Sequence, residues 1–488
     1  MAAYNTIGRI LATERIALQQ AQTSLDNVEQ RLAKLRAEVA KLEPEADALN
    51  AHITAATSVC QNLLSRFLRE FFGAAPDDVL LLIFREVIAA HDVWNTGSMH
   101  YQRKRAKAPF SLAAVCRRWR HLSISTSALW TYFGLPQFTK TTPAHLDRIV
   151  LLTQRSQCSS VDVVVDWSSQ ADRAPHRLQI LNVIGSLAAR FRRVEWNTQD
   201  KSYGVALEGL QGPTPRLTHL GVRALPNEWS LGRSCLPHAP RLQNLMWDSD
   251  MMWTFAAPCY KSLTVLTIWS DPPLPRVLDL LCIVRDVLEE LNLSTDMDHN
   301  TLPVQEFNVD LPRLVRLYLY DWRWTTHLRT PVLAQLAISC PRFDVGSHPL
   351  DTTPLSAVTN LILANVFDEE QLDSLARLDK MTTLKIGRMW RQGSTYGSLS
   401  KSFLSSAMAR DPPAWPRLKH LHFESGDDIQ PVDSSDLVAF IRARNGKSTT
   451  SPGETEVSRI DSICLDYDAP AWLVHEVERL TVCLKSSA

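Results

Sequence analysis

An apolar triplet of the form apolar-x-x-apolar-x-apolar constrains this chain more than any other feature, because it keeps returning at a nearly fixed distance. It occurs at Leu217/Leu220/Val222, Leu242/Leu245/Trp247, Leu263/Leu266/Ile268, Leu288/Leu291/Leu293 and Leu314/Leu317/Leu319. It continues at Leu333/Leu336/Ile338, Val358/Leu361/Leu363, Met381/Leu384/Ile386, Leu418/Leu421/Phe423 and Ile460/Ile463/Leu465, with a degenerate forerunner at Phe191/Val194/Trp196. From Leu220 to Leu384 the middle residue advances by 25, 21, 25, 26, 19, 25 and 23 positions, a regularity that chance triplets would not keep. Each unit offers one short strand whose apolar residues need a shared core, and no unit buries that face alone. Stacking the units predicts an α/β fold with a curved parallel sheet over residues 136–488.

The period resembles that of leucine-rich repeats, in their irregular form. The turn after the strand carries Asp250, Asp271, Asp296 and Asp468 in four units, and ionised Asp donates no hydrogen bond, so no continuous amide ladder is expected. The last two intervals lengthen to 37 and 42 residues, which predicts mobile loops near 391–402 and 445–456. Upstream, VDVVVDW predicts a strand over 161–167 and HRLQILNVIGSLAARF a helix after it, an atypical capping unit. Strand alternation places the residues between the apolar ones on the concave face. There Trp269, Arg316, Tyr318 and Tyr320 supply the aromatic and Arg side chains that protein interfaces favour, which makes them the candidate target-binding patch. The alternative is that these rings simply cover the sheet. Trp322 and Trp324 extend the patch if the strand continues and otherwise pack in the following turn.

Residues 72–135 hold two amphipathic helical segments around a polar, basic insertion at about 88–109. Pro76 suits a first helical position, with Asp77 and Asp78 complementing the helix dipole. Val79, Ile83 and Val87 form one stripe, widened by Leu80 and Phe84. Ser111 suits a cap for a helix with Leu112, Val115, Trp119 and Leu122 on one side and Arg117, Arg118 and Arg120 toward water. The run P-D-D-V-L-L-L-I-F, the core L-x-x-V-C-R-R-W and the exit T-S-A-L-W resemble the F-box, the helical module that binds the Skp-type adaptor of cullin–RING ubiquitin ligases. Ala75 stands where the family usually has Leu before the proline, and the compact family module lacks the insertion. The resemblance implies adaptor contacts from Pro76, Leu80, Ile83, Leu112, Val115 and Trp119. For Ile83, Val115 and Trp119 the alternative is a place in the module's own core. Arg103, Lys104, Arg105 and Lys107 in the insertion read either as a solvated loop or as a nuclear import signal.

Residues 1–71 carry a heptad seam, Leu18, Ala21, Leu25, Val28, Leu32, Leu35, Val39, Leu42, Ala46, Leu49 and Ile53, with Pro44 inside it. The register survives across Pro44, favouring a kinked helix over a hairpin. With Leu18 at position a, a parallel in-register dimer would oppose Arg31 to Arg36 and Glu38 to Glu43, both like-charged. The seam is therefore expected to dock on its own chain or on a different helix; the alternative is a solvated helix packing loosely on the body. A heptad helix, an F-box and degenerate leucine-rich repeats in that order resemble the expanded F-box families of mushroom-forming fungi.

Composition narrows the function classes. Lys+Arg and Asp+Glu are equal at 52 each, so no bulk positive field points to nucleic acid. The nine cysteines have no CxxC spacing and suggest small buried residues in a reducing compartment, and no apolar run suits a membrane span. This points to the cytoplasm, with the nucleus as the alternative if the basic cluster is an import signal. His420, His422 and Glu424 share one strand face, but two exposed strand histidines and an acid fall short of a zinc site. Gly446-Lys447-Ser448 lacks the upstream glycine of a P-loop. No nucleophile, metal or cofactor motif is present, so an enzyme is the least supported class and no cofactor is expected. The resemblance implies a substrate receptor of an SCF-type ligase, whose partners are a Skp-type adaptor, a cullin scaffold behind it and an unidentified target protein. The alternative is a leucine-rich-repeat interaction protein acting outside any ligase.

Overall fold

The structure is a computed structural model of the chain. It describes residues 2–92, 101–135, 143–167, 175–198, 210–224, 236, 238–248, 257–269, 274–293, 308–320, 322–339, 355–364, 366–367, 375–387, 398–399, 403–410, 414–424, 431–446, 457–466 and 469–482. These fall into two compact units, residues 1–83 and 84–488.

In the first unit, α1 (Ala2–Ala74) runs unbroken through Pro44, so there is no hairpin. Pro44 lies two residues after the seam residue Leu42 and two before Ala46, on the outer side of the heptad, where its missing N–H costs one intrahelical bond without disturbing the seam. Leu25, Val28, Leu32, Leu35, Val39, Leu42, Leu49 and Ile53 are all exposed. Within this unit the described seam residues are not covered by other described residues. After the exposed Pro76, α2 (Asp77–Ala89) opens with Asp77 and Asp78 in its first turn and continues across the unit boundary. Its buried residues are Leu80 and Phe84, while Val79 and Ile83 are half-buried and Val87 is exposed. The buried stripe is thus centred one residue beyond the predicted one.

The second unit adds α3 (Arg103–Val115) and α4 (Arg117–Ser125). Here the structure differs from the expected cap at Ser111. The alanine-rich end of the insertion is itself helical, and α3 begins at Arg103 with Pro109 inside it. Cys116 is extended (φ −155°, ψ 173°) and breaks the predicted single helix, its Sγ accepting from the Trp119 N–H at 3.4 Å to cap α4. A 3₁₀ turn, Ser127–Trp130, follows. Trp130 is buried, donates from Nε1 to the Ser123 carbonyl at 2.6 Å, meets Phe110 edge-on at 5.0 Å and lies under the Arg155 guanidinium at 4.2 Å. The Leu-Trp exit therefore anchors the helices to what comes next.

What comes next is a mixed α/β body built on one parallel sheet of thirteen strands, ordered as they occur in the chain. They are β1 (Tyr132–Leu135), β2 (Val161–Trp167), β3 (Phe191–Thr198), β4 (His219–Ala224), β5 (Asn244–Asp248), β6 (Val265–Ile268) and β7 (Glu290–Leu293). The others are β8 (Arg316–Leu319), β9 (Gln335–Ile338), β10 (Asn360–Leu363), β11 (Thr383–Ile386), β12 (His420–Glu424) and β13 (Ser462–Asp466). Helix α5 (Pro143–Ser156) joins β1 to β2 and α6 (Pro175–Gly185) joins β2 to β3. Helix α7 (Leu274–Val284) lies between β6 and β7, α8 (Phe403–Ala409) between β11 and β12, α9 (Ser434–Gly446) between β12 and β13, and α10 (Ala471–Val482) after β13.

The middle and last residues of the forerunner and of all ten triplets lie on strands, and the register aligns the middle ones: Val194, Leu220, Leu245, Leu266, Leu291, Leu317, Leu336, Leu361, Leu384, Leu421 and Ile463. All of these except Ile463, on the last strand, are buried. Leading into the strands, the N–H of the first triplet residue bonds the carbonyl three residues back, as in Leu242 to Ala239, Leu314 to Leu311, Leu333 to Thr330 and Leu418 to Trp415. Those upstream residues are buried too, so each unit contributes a fourth inward side chain. Its local signal is x-Pro-Arg-Leu, in Thr214–Leu217, Ala239–Leu242, Leu311–Leu314 and Trp415–Leu418, with Pro at the turn position that its fixed φ favours. The buried Arg444 on α9 donates to the carbonyls of Trp415 and Leu418, tying the last such turn to the helix behind it, and burial lowers its pKa to about 10.

Residues 398–399, inside one predicted loop, pair with 366–367, and residues 445–446 of the other close α9. The rest of those loops and the four turn aspartates lie outside the described residues. Cysteines also depart from expectation: of the six described, Cys259 is buried and Cys60, Cys116, Cys158, Cys282 and Cys464 are exposed. Cys116 serves as a cap, and Cys464 sits on the last strand of the sheet. Among the described residues no helix is long and apolar enough to cross a membrane.

Candidate functional site

The residues alternating with the triplets form rows on the second face of the sheet. One row runs Glu195, Gly221, Met246, Thr267, Asn292, Tyr318, Ala337, Ile362, Lys385 and His422. Tyr318 is half-buried and packs over Ala337 and Ala364 beside Ile362, while its hydroxyl accepts from Gln335 Nε2 at 3.0 Å. Burial first, then the neighbouring Glu290, raises its pKa. Arg316 donates from Nε to Glu290 Oε2 at 2.6 Å, and Asn292 donates to Thr267 Oγ1 at 3.0 Å. Trp269, half-buried, lies 4.2 Å from the Arg223 guanidinium, and Tyr320 is half-buried on the row of Trp269 at the C-terminal end of β8. The strand stops at Leu319, a 3₁₀ turn spans Trp322–His327, and Trp324 is buried in it. Trp324 therefore packs rather than extending the patch. Tyr318 covers small residues of the sheet, and all four predicted patch residues keep accessible surface.

At β1 to β3 the same face is closed. Arg105, predicted as part of a solvated basic cluster, is only 3 % exposed. Its Nη2 meets Asp162 Oδ2 at 2.6 Å, and its guanidinium stacks 4.6 Å from the Tyr132 ring. Asp162, fully buried on β2, also accepts two bonds from Arg192, at 2.8 and 2.6 Å. Burial alone would raise the Asp162 pKa, but the hydrogen bonds and charges of Arg192 and Arg105 outweigh it and hold the carboxyl below its ordinary range. Asp92 joins Arg193 at 3.1 Å, and the Gln102 N–H donates to the Tyr132 hydroxyl at 3.0 Å. The described part of the insertion is therefore a strap fastening α3 to the sheet. Beneath it Glu195 is buried with Oε2 lacking a hydrogen-bond partner among the described residues, and desolvation holds its pKa well above the carboxylate range despite Arg193. Burial, reinforced by Arg193, lowers the His219 pKa to about 4. A sequence signal for this cluster existed in the two aspartates of VDVVVDW, since a buried carboxylate demands cationic partners.

The residues implied as adaptor contacts separate by exposure. Pro76 is exposed and Ile83 half-buried. Leu80, expected as a direct contact, is fully buried. Val115 is 61 % exposed, which removes it from the module's core and leaves it accessible. Leu112 is buried, and Trp119 is half-buried with its ring 4.7 Å from that of Phe84.

Among the described residues no group of His, Cys, Asp and Glu is placed to hold a metal. His420 Nδ1 engages Ser462 Oγ at 2.8 Å and Glu424 pairs with Lys385 at 2.7 Å, so these two are engaged with their neighbours. Gly446 ends a helix rather than preceding one, the reverse of a phosphate-binding loop. Against known proteins, no family model matches the chain and no curated protein matches it.

Proposed function

We propose that this chain is the substrate-recognition receptor of an SCF-type cullin–RING ubiquitin ligase, its F-box-like residues docking on a Skp-type adaptor and its repeat sheet holding the target protein. The observation that carries the proposal is the succession of parts. The segments P-D-D-V-L-L-L-I-F and L-x-x-V-C-R-R-W lead through a buried Leu-Trp exit into strands whose triplet centres align in one parallel sheet. An irregular leucine-rich-repeat solenoid is the fold that accounts best for a short strand every 19 to 26 residues from β3 to β11, in sequential parallel order. The mechanism is proximity: the receptor raises the local concentration of target beside the transferring enzyme and makes no bond itself. Trp269, Arg316, Tyr318 and Tyr320 are the residues proposed to meet the target. Pro76 and Val115 are the adaptor contacts best supported by exposure.

The test is co-purification of the full chain with a Skp-type adaptor, alongside a Pro76→Ala/Val115→Asp variant. Both positions are exposed, so the variant is expected to fold and to lose the adaptor. A folded wild-type chain that captures no adaptor overturns the proposal. One observation favours a second reading, an interaction protein acting outside any ligase: Leu80 and Leu112, two of the six implied contacts, are buried.

A further inference from the structure

We propose that α1 pairs with α1 of a second copy of this chain as an antiparallel two-stranded coiled coil, its two-fold axis passing between Ala33 and Lys34. This does not depend on the ligase reading. The large apolar residues of the seam are exposed from Leu25 to Ile53, and from Leu18 to Leu49 the seam's sequence is a palindrome about that point. Leu32 matches Leu35, Val28 matches Val39 and Leu25 matches Leu42, and further out Ala21 matches Ala46 and Leu18 matches Leu49. In an antiparallel pair a positions meet d positions, so every layer places like beside like, with the small alanines opposite each other and no bulky residue left facing one. The matched layers span Leu18 to Leu49, a helical length of about 47 Å at 1.5 Å per residue.

The flanking charges select the same alignment. With Leu18 at a, Glu29 and Arg36 are e residues and Arg31 and Glu38 are g residues, and antiparallel helices oppose e to e′ and g to g′. About this axis Glu29 faces Arg36′ twice and Arg31 faces Glu38′ twice, giving only opposite charges. Moving the axis outward by half a heptad opposes Arg36 to Arg36′ and Glu29 to Glu43′. Moving it inward opposes Arg31 to Arg31′ and Glu29 to Glu29′. The parallel in-register pair also opposes like charges. None of Glu29, Arg31, Arg36 and Glu38 makes an ion pair among the described residues of its own chain, so all are available. One continuous α1 excludes the alternative in which the palindrome closes on itself as a hairpin.

Sedimentation of the full-length protein over a wide concentration range, with circular dichroism to confirm helix content, tests the proposal. The wild type is expected to be a reversible dimer. Glu29→Arg and Arg36→Glu should each weaken it about tenfold, because each converts two attractive pairs into repulsive ones. An equimolar mixture of the two variants should recover wild-type affinity, since the introduced arginine of one chain then faces the introduced glutamate of the other and the native Arg36 faces the native Glu29. Three results would overturn it: a monomeric wild type, an Arg36→Glu variant that dimerises as tightly as wild type or tighter, as parallel pairing requires, or a mixture no tighter than its components.

Discussion

Asp162 is the residue at which the helical and sheet parts of the second unit are joined, because a fully buried carboxylate on β2 is neutralised by Arg105 from α3 and Arg192 from β3. Removing one member of a buried pair leaves the other charge uncompensated, at a cost of about 3–5 kcal/mol. Asp162→Ala should destabilise the second unit by that order in denaturant titration, with most of the loss traceable to the buried Arg105 and less to the 41 % exposed Arg192. An unchanged midpoint would contradict the assignment. Since the folded pKa of Asp162 is depressed, its contribution is present above the ordinary carboxylate pKa and disappears as pH falls through the folded value. Glu195 acts in the opposite sense: its raised pKa means that the unfolded chain releases a proton the folded chain keeps, so stability falls as pH rises from about 4.5 upward. The His219 contribution is lost as pH falls from about 6.5 toward 4, the opposite slope to that of Glu195. Glu195→Gln should flatten the fall in stability that sets in as pH rises above the ordinary carboxylate pKa, and a profile identical to wild type would refute a raised Glu195 pKa. Asp162 was visible in the sequence as an acid inside an apolar strand. Its partner was not, because Arg105 is 57 positions away and sits among basic residues that resemble a solvated loop.

Among the elements, the strands were the most legible, since each triplet fixes both the position of a strand and the face it buries. The α3 boundary was not. Pro109 and the polar Arg103–Lys107 run argue locally for a loop, and helix forms there because Arg105, Ala106 and Ala108 are buried in the tertiary structure. The x-Pro-Arg-Leu turns were readable but lie outside the triplet template. The α1 seam was readable as a heptad whose charges oppose parallel pairing, and the palindrome requires reading the same positions in reverse. For α1 itself the physical weak point is Pro44, which removes one backbone bond at an exposed outer position. Pro44→Ala should stabilise the helix by up to about 3 kcal/mol and raise the midpoint of its thermal melt followed by circular dichroism. A lowered midpoint would contradict this.

At the scale of the whole molecule, the proposed receptor is two-ended: exposed helical residues at Pro76 and Val115 for the adaptor, and the half-buried aromatic and Arg positions on the sheet for the target. The insertion departs from the compact F-box pattern, but its described end is spent on Asp162 and Tyr132 rather than left loose, so it stiffens the second unit. If α1 pairs as inferred, each assembly carries two such receptors. The central claim is adaptor binding, and calorimetric titration of purified full-length chain with a purified Skp-type adaptor measures it directly. Saturable binding at one adaptor per chain, abolished by Val115→Asp without loss of folding, is the predicted result. A folded wild-type chain that releases no heat and forms no complex would contradict it.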